Sequence, residues 1–183
     1  MKKPGPARTV FLAGFMGSGK TSVGRALARR LGWRFVDLDR NIQQREGTSI
    51  AKIFAQNGEA GFRRAESAAL RDLLAGLGQQ PPTVVALGGG TLSIAQNRLR
   101  LRQPGGPVVF LDAPLSTLRE RCRRSGRQRP LFASLKRFRQ LYQSRLPQYR
   151  NATVRITTWR KHPSAVAAEV AAALGLKSQQ EVR

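Results

Sequence analysis

The sequence predicts an α/β fold, a parallel sheet packed between helices, on three observations. Short apolar runs alternate with longer segments of helical periodicity. The runs are continuous rather than alternating, as in strands covered on both faces. Residues suited to binding follow the first three runs directly: Gly14, then Asp37 and Asp39, then Gly88, Gly89 and Gly90. Ligands of such sheets collect beyond the carboxyl ends of the strands, so three strand ends are expected to build one site.

In chain order, Thr9–Ala13 (TVFLA) is the first strand, closed by a glycine. Lys20–Leu31 carries Val23, Leu27 and Leu31 at spacing four, an amphipathic helix stopped by Gly32. Arg34–Asp37 (RFVD) is the second strand. Asn41–Glu46 and Ser49–Gln56 read as short helices separated by Gly47, and Glu59–Leu74 as a longer one ended by Gly76, Gly78, Pro81 and Pro82. Thr83–Leu87 is the third strand, Ile94–Arg102 a helix, and Pro107–Leu111 the fourth strand. Pro114 suits the first turn of a helix ending near Arg124. Ser125–Ser134 is a loop, Leu135–Tyr149 a helix, Ala152–Thr157 the fifth strand and Ser164–Leu174 the closing helix, before a loose tail from Lys177 to Arg183.

The 183 residues are 40 % apolar, enough for one ordinary core, and no repeat or linker divides them. A single domain is expected, with its core over about 9–174 and a mobile lid over about 125–134. Thirty-three Lys+Arg against ten Asp+Glu give a formal net charge of +23, and 26 of the cations are arginine. Guanidinium groups fork onto carboxylates and phosphates, so anionic ligands are expected. One cysteine excludes an internal disulfide framework and a four-cysteine zinc site. No apolar run reaches the roughly 18–20 residues of a membrane span. After the basic start, Val10–Ala13 is too short for a signal-peptide core. A soluble, cytoplasmic protein is expected.

Gly14-Phe15-Met16-Gly17-Ser18-Gly19-Lys20-Thr21 fits G-x-x-x-x-G-K-[ST], between a strand and a helix as its mechanism requires. Backbone N–H groups curl around a phosphate and the helix N-terminus adds a favourable dipole. Lys20 can reach β- and γ-phosphates, and the Thr21 hydroxyl can ligate Mg²⁺. Asp37 and Asp39, two apart on an extended segment, would face the same way. One could serve a hydrated Mg²⁺ and the other a hydroxyl acceptor; the bland alternatives are solvated loop acids or a helix N-cap.

Arg63 or Arg64 could fork onto a carboxylate, with Glu66 holding one of them through an i, i+3 contact. Gly88-Gly89-Gly90 lets backbone approach a ligand closely. Residues 98–160 hold 16 Lys+Arg against Asp112 and Glu120, including the run from Arg123 through Arg127 and Arg129 to Leu131. A basic loop can close over a triphosphate, although a solvated basic surface accounts for most of the charge. Cys122 reads as packing, His162 as non-catalytic, and Trp33 and Trp159 as core or edge residues.

The blocks GFMGSGKT, FVDLD, GTSIAKIF…GEAGFRRAE, LGGGT, VVFLDAP, RCRRSGRQRPLF and RLPQYRNAT, in this order from about Val10 to Leu174, resemble the shikimate kinases. The resemblance implies a five-stranded parallel sheet of order 2-3-1-4-5 flanked by helices, similar to the P-loop nucleoside monophosphate kinases. It implies transfer of the ATP γ-phosphoryl group to the 3-hydroxyl of shikimate in aromatic amino-acid biosynthesis. It places ATP on the stretch Gly17, Ser18, Gly19, Lys20, Thr21 and Ser22 and Mg²⁺ on Thr21 and Asp37, with Lys20, Asp39 and Arg129 as the catalytic residues. Asp39 matches the acid that meets shikimate hydroxyls, Arg63 and Arg145 the arginines that hold its carboxylate, and Gly88, Gly89 and Gly90 the pocket glycines. Arg129 matches the lid arginine on the phosphates; Arg124 flanks adenine and Lys161 lies in the adenine loop. ATP and shikimate are the implied partners of a monomer, with no membrane and no specific nucleic acid. The rivals are a sister kinase acting on another hydroxy acid such as gluconate, and a ligand-sensing domain of the same fold.

Overall fold

The computed structural model describes residues 8–102, 106–125 and 134–179. Its sheet is built from β1 (Thr9–Ala13), β2 (Arg34–Asp37), β3 (Thr83–Ala86), β4 (Val108–Asp112) and β5 (Val154–Thr157). All neighbouring strands are parallel, in the order β2-β3-β1-β4-β5. The helices are α1 (Lys20–Leu31), α2 (Leu38–Glu46), α3 (Ile50–Gly76), α4 (Ala95–Arg102), α5 (Leu115–Arg124), α6 (Leu135–Arg150) and α7 (Pro163–Ala173). The expected fold class and strand order both hold.

Side chains alternate across a strand, and β1 feeds two cores. Val10 and Leu12 point to one face, where Val84, Val109 and Leu111 join Val23 and Leu27 of α1 and Val166 and Val170 of α7. Phe11 and Ala13 point to the other, with Val85, Phe110, Leu70 of α3 and Phe138 and Tyr149 of α6. β1 is buried at every position, which explains its uninterrupted apolar run. No described helix is long and apolar enough to cross a membrane.

Two boundaries differ from expectation in ways that matter for the site. The helix expected from Asn41 begins at Leu38, because Asp37 caps it: its Oδ1 accepts from the Arg40 N–H at 3.3 Å. Asp37 and Asp39 therefore do not share an extended segment; Asp39 sits in the first turn of α2. The two helices expected around Gly58 are joined as α3, but Gly58 breaks the helical geometry with φ 64° and ψ −173°. The break reorients the chain just ahead of Arg63 and Glu66. A single 3₁₀ turn, Thr91–Ser93, follows the triple glycine and was not legible in the sequence.

Candidate active site

The carboxyl ends of β1, β2 and β3 carry the site. Between β1 and α1 the loop turns back on itself, with Gly17 at φ 81° and Gly19 at φ 93°, a region that only glycine enters freely. Gly17 also has no room for a side chain, since a Cβ would lie 2.5 Å from the Leu118 carbonyl and 3.1 Å from Cys122 Sγ. Lys20 folds over the loop and its Nζ donates to Gly14 O (2.8 Å) and Phe15 O (3.1 Å). The Ser18 hydroxyl is buried with no hydrogen-bond partner among the described residues. Ammonium, helix N-terminus and an orphaned hydroxyl in one concave turn suit a phosphate chain.

Next to the loop, Thr21 Oγ1 donates to Asp37 Oδ2 at 2.7 Å. Asp37 thus caps α2 with one oxygen and meets the hydroxyl with the other. The donor set is all oxygen, and no cluster of three His, Cys, Asp or Glu exists among the described residues. That fits Mg²⁺, which takes one or two protein oxygens and fills its shell with water and phosphate oxygens.

The other half of the site gathers around the triple glycine. Each glycine lies against a charged side chain, and Gly88 and Gly90 leave no space for a Cβ beside theirs. A Cβ on Gly88 would lie 2.5 Å from Glu66 Oε1 and 3.0 Å from Asp39 Oδ1; one on Gly89 would be 3.5 Å from Arg145 Nη1; one on Gly90 would collide with the Arg63 guanidinium. Gly89 also borders the phosphate loop, 3.8 Å from Met16 N by the same measure. Glu66 is wholly buried, accepting from Arg63 Nη1 at 2.7 Å and from Thr91 Oγ1 at 2.6 Å. Arg63 Nη2 reaches Glu59 at 3.1 Å. Burial opposes the Arg63 charge, but Glu66 and Glu59 outweigh it and hold its pKa above the ordinary value.

Arg145, on α6, is 5 % exposed and lies 5.8 Å from the Phe15 ring. No described carboxylate lies within ion-pair distance of it, and burial, aided by the nearby Arg63 charge against the pull of Tyr149, holds its pKa below the ordinary guanidinium value. The Tyr149 hydroxyl donates to Gly89 O, and burial pushes the Tyr149 pKa far up. Asp39, Arg145 and Arg63 therefore each lie against one of the three glycines beside the phosphate loop, a set of groups chemically suited to an anionic, hydroxylated ligand.

The family model of shikimate kinase matches residues 16–175. The chain belongs to the shikimate kinase family. A shikimate kinase of Symbiobacterium thermophilum is 45 % identical over 166 residues, covering 88 % of this chain and 92 % of that protein. A solved shikimate kinase from Acinetobacter baumannii, in complex with shikimate, superposes with a TM-score of 0.84 at 35 % identity over 92 % of this chain and 94 % of its own. A gluconokinase from Sinorhizobium meliloti gives a TM-score of 0.60 at 25 % identity, over 93 % of this chain and 92 % of its own. Membership in the shikimate kinase family makes the chain an ATP-dependent phosphotransferase and sets the gluconate and sensor rivals aside.

Of the positions expected from the shikimate kinases, Lys20 lies on the phosphate loop with the Thr21–Asp37 pair next to it, while Asp39, Arg63 and Arg145 lie at the three glycines, with Glu66 holding Arg63. Of Arg63 and Arg64, Arg63 is the one that Glu66 holds, while Arg64 is exposed. Ser22 is exposed at the start of α1. Arg124 and Lys161 are not placed in either group: Arg124 is exposed in the last turn of α5, and Lys161 Nζ binds Glu169 at 2.7 Å. Arg129 and the lid between Ser125 and Ser134 lie outside the described residues. Cys122 is buried against Gly17, as its packing reading expected. His162 accepts from Ser164 N as the cap of α7. Trp33 packs partly buried on the α1–α7 core, whereas Trp159 is 47 % exposed under the Arg160 guanidinium. Sequence reasoning missed Arg121, which donates to Gly17 O (3.3 Å), Thr158 Oγ1 (3.0 Å) and Thr158 O (2.8 Å). Its one sequence signal is spacing, since Leu118, Arg121 and Cys122 share a helix face.

Proposed function

We propose that this chain moves the γ-phosphoryl group of ATP to the 3-hydroxyl of shikimate, giving shikimate 3-phosphate and ADP, and that it does so as a single kinase domain. The observation that carries the reading is the convergence of Asp39, Arg63 and Arg145 on Gly88–Gly90, next to the phosphate loop. Shikimate offers one carboxylate and three hydroxyls. Arg63 and Arg145 hold the carboxylate by charge-assisted hydrogen bonds, and Asp39 accepts from the hydroxyl that attacks.

On this reading the amides from Gly17 to Ser22 and the Lys20 ammonium hold the phosphates, leaving Gly14 O and Phe15 O as ATP enters. Thr21 and Asp37 hold Mg²⁺, which neutralises phosphate charge when bound. The hydroxyl oxygen forms its bond to the γ-phosphorus as the bond to the bridging β,γ-oxygen breaks, and ADP carries away the electron pair. Asp39 orients the hydroxyl and takes its proton. Arg129, from the lid, meets the phosphates as charge shifts, while Arg124 and Lys161 flank the base. The protein works as a cytoplasmic monomer.

ADP release from ATP and Mg²⁺, with shikimate or gluconate as acceptor, tests this. Turnover with shikimate alone is expected. Lys20→Ala and Asp39→Asn are each expected to lower kcat by roughly a hundredfold or more while the fold persists. Gluconate turnover matching that of shikimate, or near-normal turnover by folded Lys20→Ala, would overturn the reading.

A further inference from the structure

Arg121 stands apart from the arginines around it. Its helix neighbours Arg123 and Arg124 are exposed, with Arg123 spent on Glu120. Arg121 instead turns inward along the face of α5 that carries Leu118 and Cys122, the two residues against which Gly17 packs. Its guanidinium makes three hydrogen bonds, all to neutral oxygens. One goes to the phosphate loop at Gly17 O and two go to Thr158. Among the described residues it forms no ion pair.

Thr158 is 3 % exposed and is itself fixed, its N–H donating to Asp112 O at 2.7 Å at the end of the β4–β5 ladder. It opens a tight turn through Trp159 and Arg160, whose φ of 55° is left-handed. That turn delivers Lys161 to Glu169 and His162 to the cap of α7. A single guanidinium thus bridges two segments far apart in sequence, at Gly17 and at Thr158. The fork geometry matters here, because an ammonium is a point donor and cannot span two segments in one plane.

We infer that Arg121 is a positioning residue for ATP: it locks the phosphate loop to the turn at 158–161, so that the triphosphate and the base meet one rigid surface. The inference rests on the reading above that Lys161 and its turn lie on the base side. A ligand that uses only the phosphate loop is indifferent to the lock, whereas one that spans both segments loses affinity when the segments move independently.

Calorimetry of ATP and of inorganic tripolyphosphate, each with Mg²⁺, and of shikimate separates these cases. In Arg121→Met, ATP affinity is expected to fall roughly tenfold to a hundredfold, tripolyphosphate by less than about threefold, and shikimate affinity to stay level. KM for ATP should rise more than kcat falls. Arg121→Lys is expected to restore only part of the loss. Thr158→Val, which keeps the shape and removes the hydroxyl that accepts from Arg121 and donates to Asp112 O, should weaken ATP a few-fold with the same selectivity, and it serves should Arg121→Met fail to fold. Equal losses for ATP and tripolyphosphate, or unchanged ATP affinity in folded Arg121→Met, would overturn the inference. Should the unaltered protein bind ATP no more tightly than tripolyphosphate, the base-side reading itself fails, a result distinct from either.

Discussion

Two arginines lie against neighbouring glycines, Arg145 at Gly89 and Arg63 at Gly90, yet the protein holds them by opposite means. Arg63 is pinned to a wholly buried glutamate and to Glu59, so its charge is largely neutralised before any ligand arrives. Arg145 is more deeply buried, has no carboxylate partner among the described residues, and rests on Phe15 and Tyr149. A paired guanidinium is stable and well aimed but has less charge to give. An unpaired one is costly to bury and binds an anion strongly, because the ligand supplies the missing partner. On the proposed reading the two divide their labour accordingly: Arg63 supplies direction and Arg145 supplies charge.

The sharpest way to break this comparison is through stability, where the two arginines have opposite signs. Arg63→Met leaves Glu66 buried with only Thr91, and is expected to cost about 3 kcal/mol, lowering Tm by about 10 °C. Arg145→Met removes a buried charge that has no carboxylate partner within ion-pair distance among the described residues, and is expected to leave Tm unchanged or higher. In shikimate affinity the order reverses, with Arg145→Met losing roughly a hundredfold and Arg63→Met roughly tenfold. Thermal melts and calorimetry on both variants decide it; matching Tm losses would end the distinction.

The glycines sharpen the same contrast at smaller cost. Gly90→Ala drives a methyl into the pinned Arg63 guanidinium, while Gly90 itself has an ordinary φ of −113°. Shikimate affinity should fall roughly tenfold with ATP affinity level. Gly89→Ala places its methyl at an ordinary contact distance from Arg145, so less than about a threefold change is expected. Smallest of all, Tyr149→Phe frees Gly89 O and is expected to cost about 1 kcal/mol of stability, with a few-fold loss for shikimate, read by denaturant titration and calorimetry.

Much of this was legible in the sequence. The central strands and the phosphate loop were, because buried parallel strands leave unbroken apolar runs and the loop's glycines are demanded by its shape. The Arg63–Glu66 contact was legible from helix spacing, but the burial of Glu66 was not, since it depends on Gly88 and Thr91 arriving from another strand end. Asp39 was found for its chemistry and misplaced in geometry, because an aspartate before a polar stretch reads equally as strand end or helix cap, and Asp37 is both. Arg121 was hidden among identical neighbours, since composition cannot tell an inward arginine from an exposed one.

On the proposed reading, Arg145 contributes its charge to the substrate carboxylate. The direct measurement is the affinity of the unaltered protein and of Arg145→Met for shikimate and for its neutral carboxamide. The unaltered protein should prefer the acid by roughly a hundredfold, and Arg145→Met should lose most of that preference by weakening on the acid alone. A variant that discriminates acid from amide as well as the unaltered protein would contradict the account.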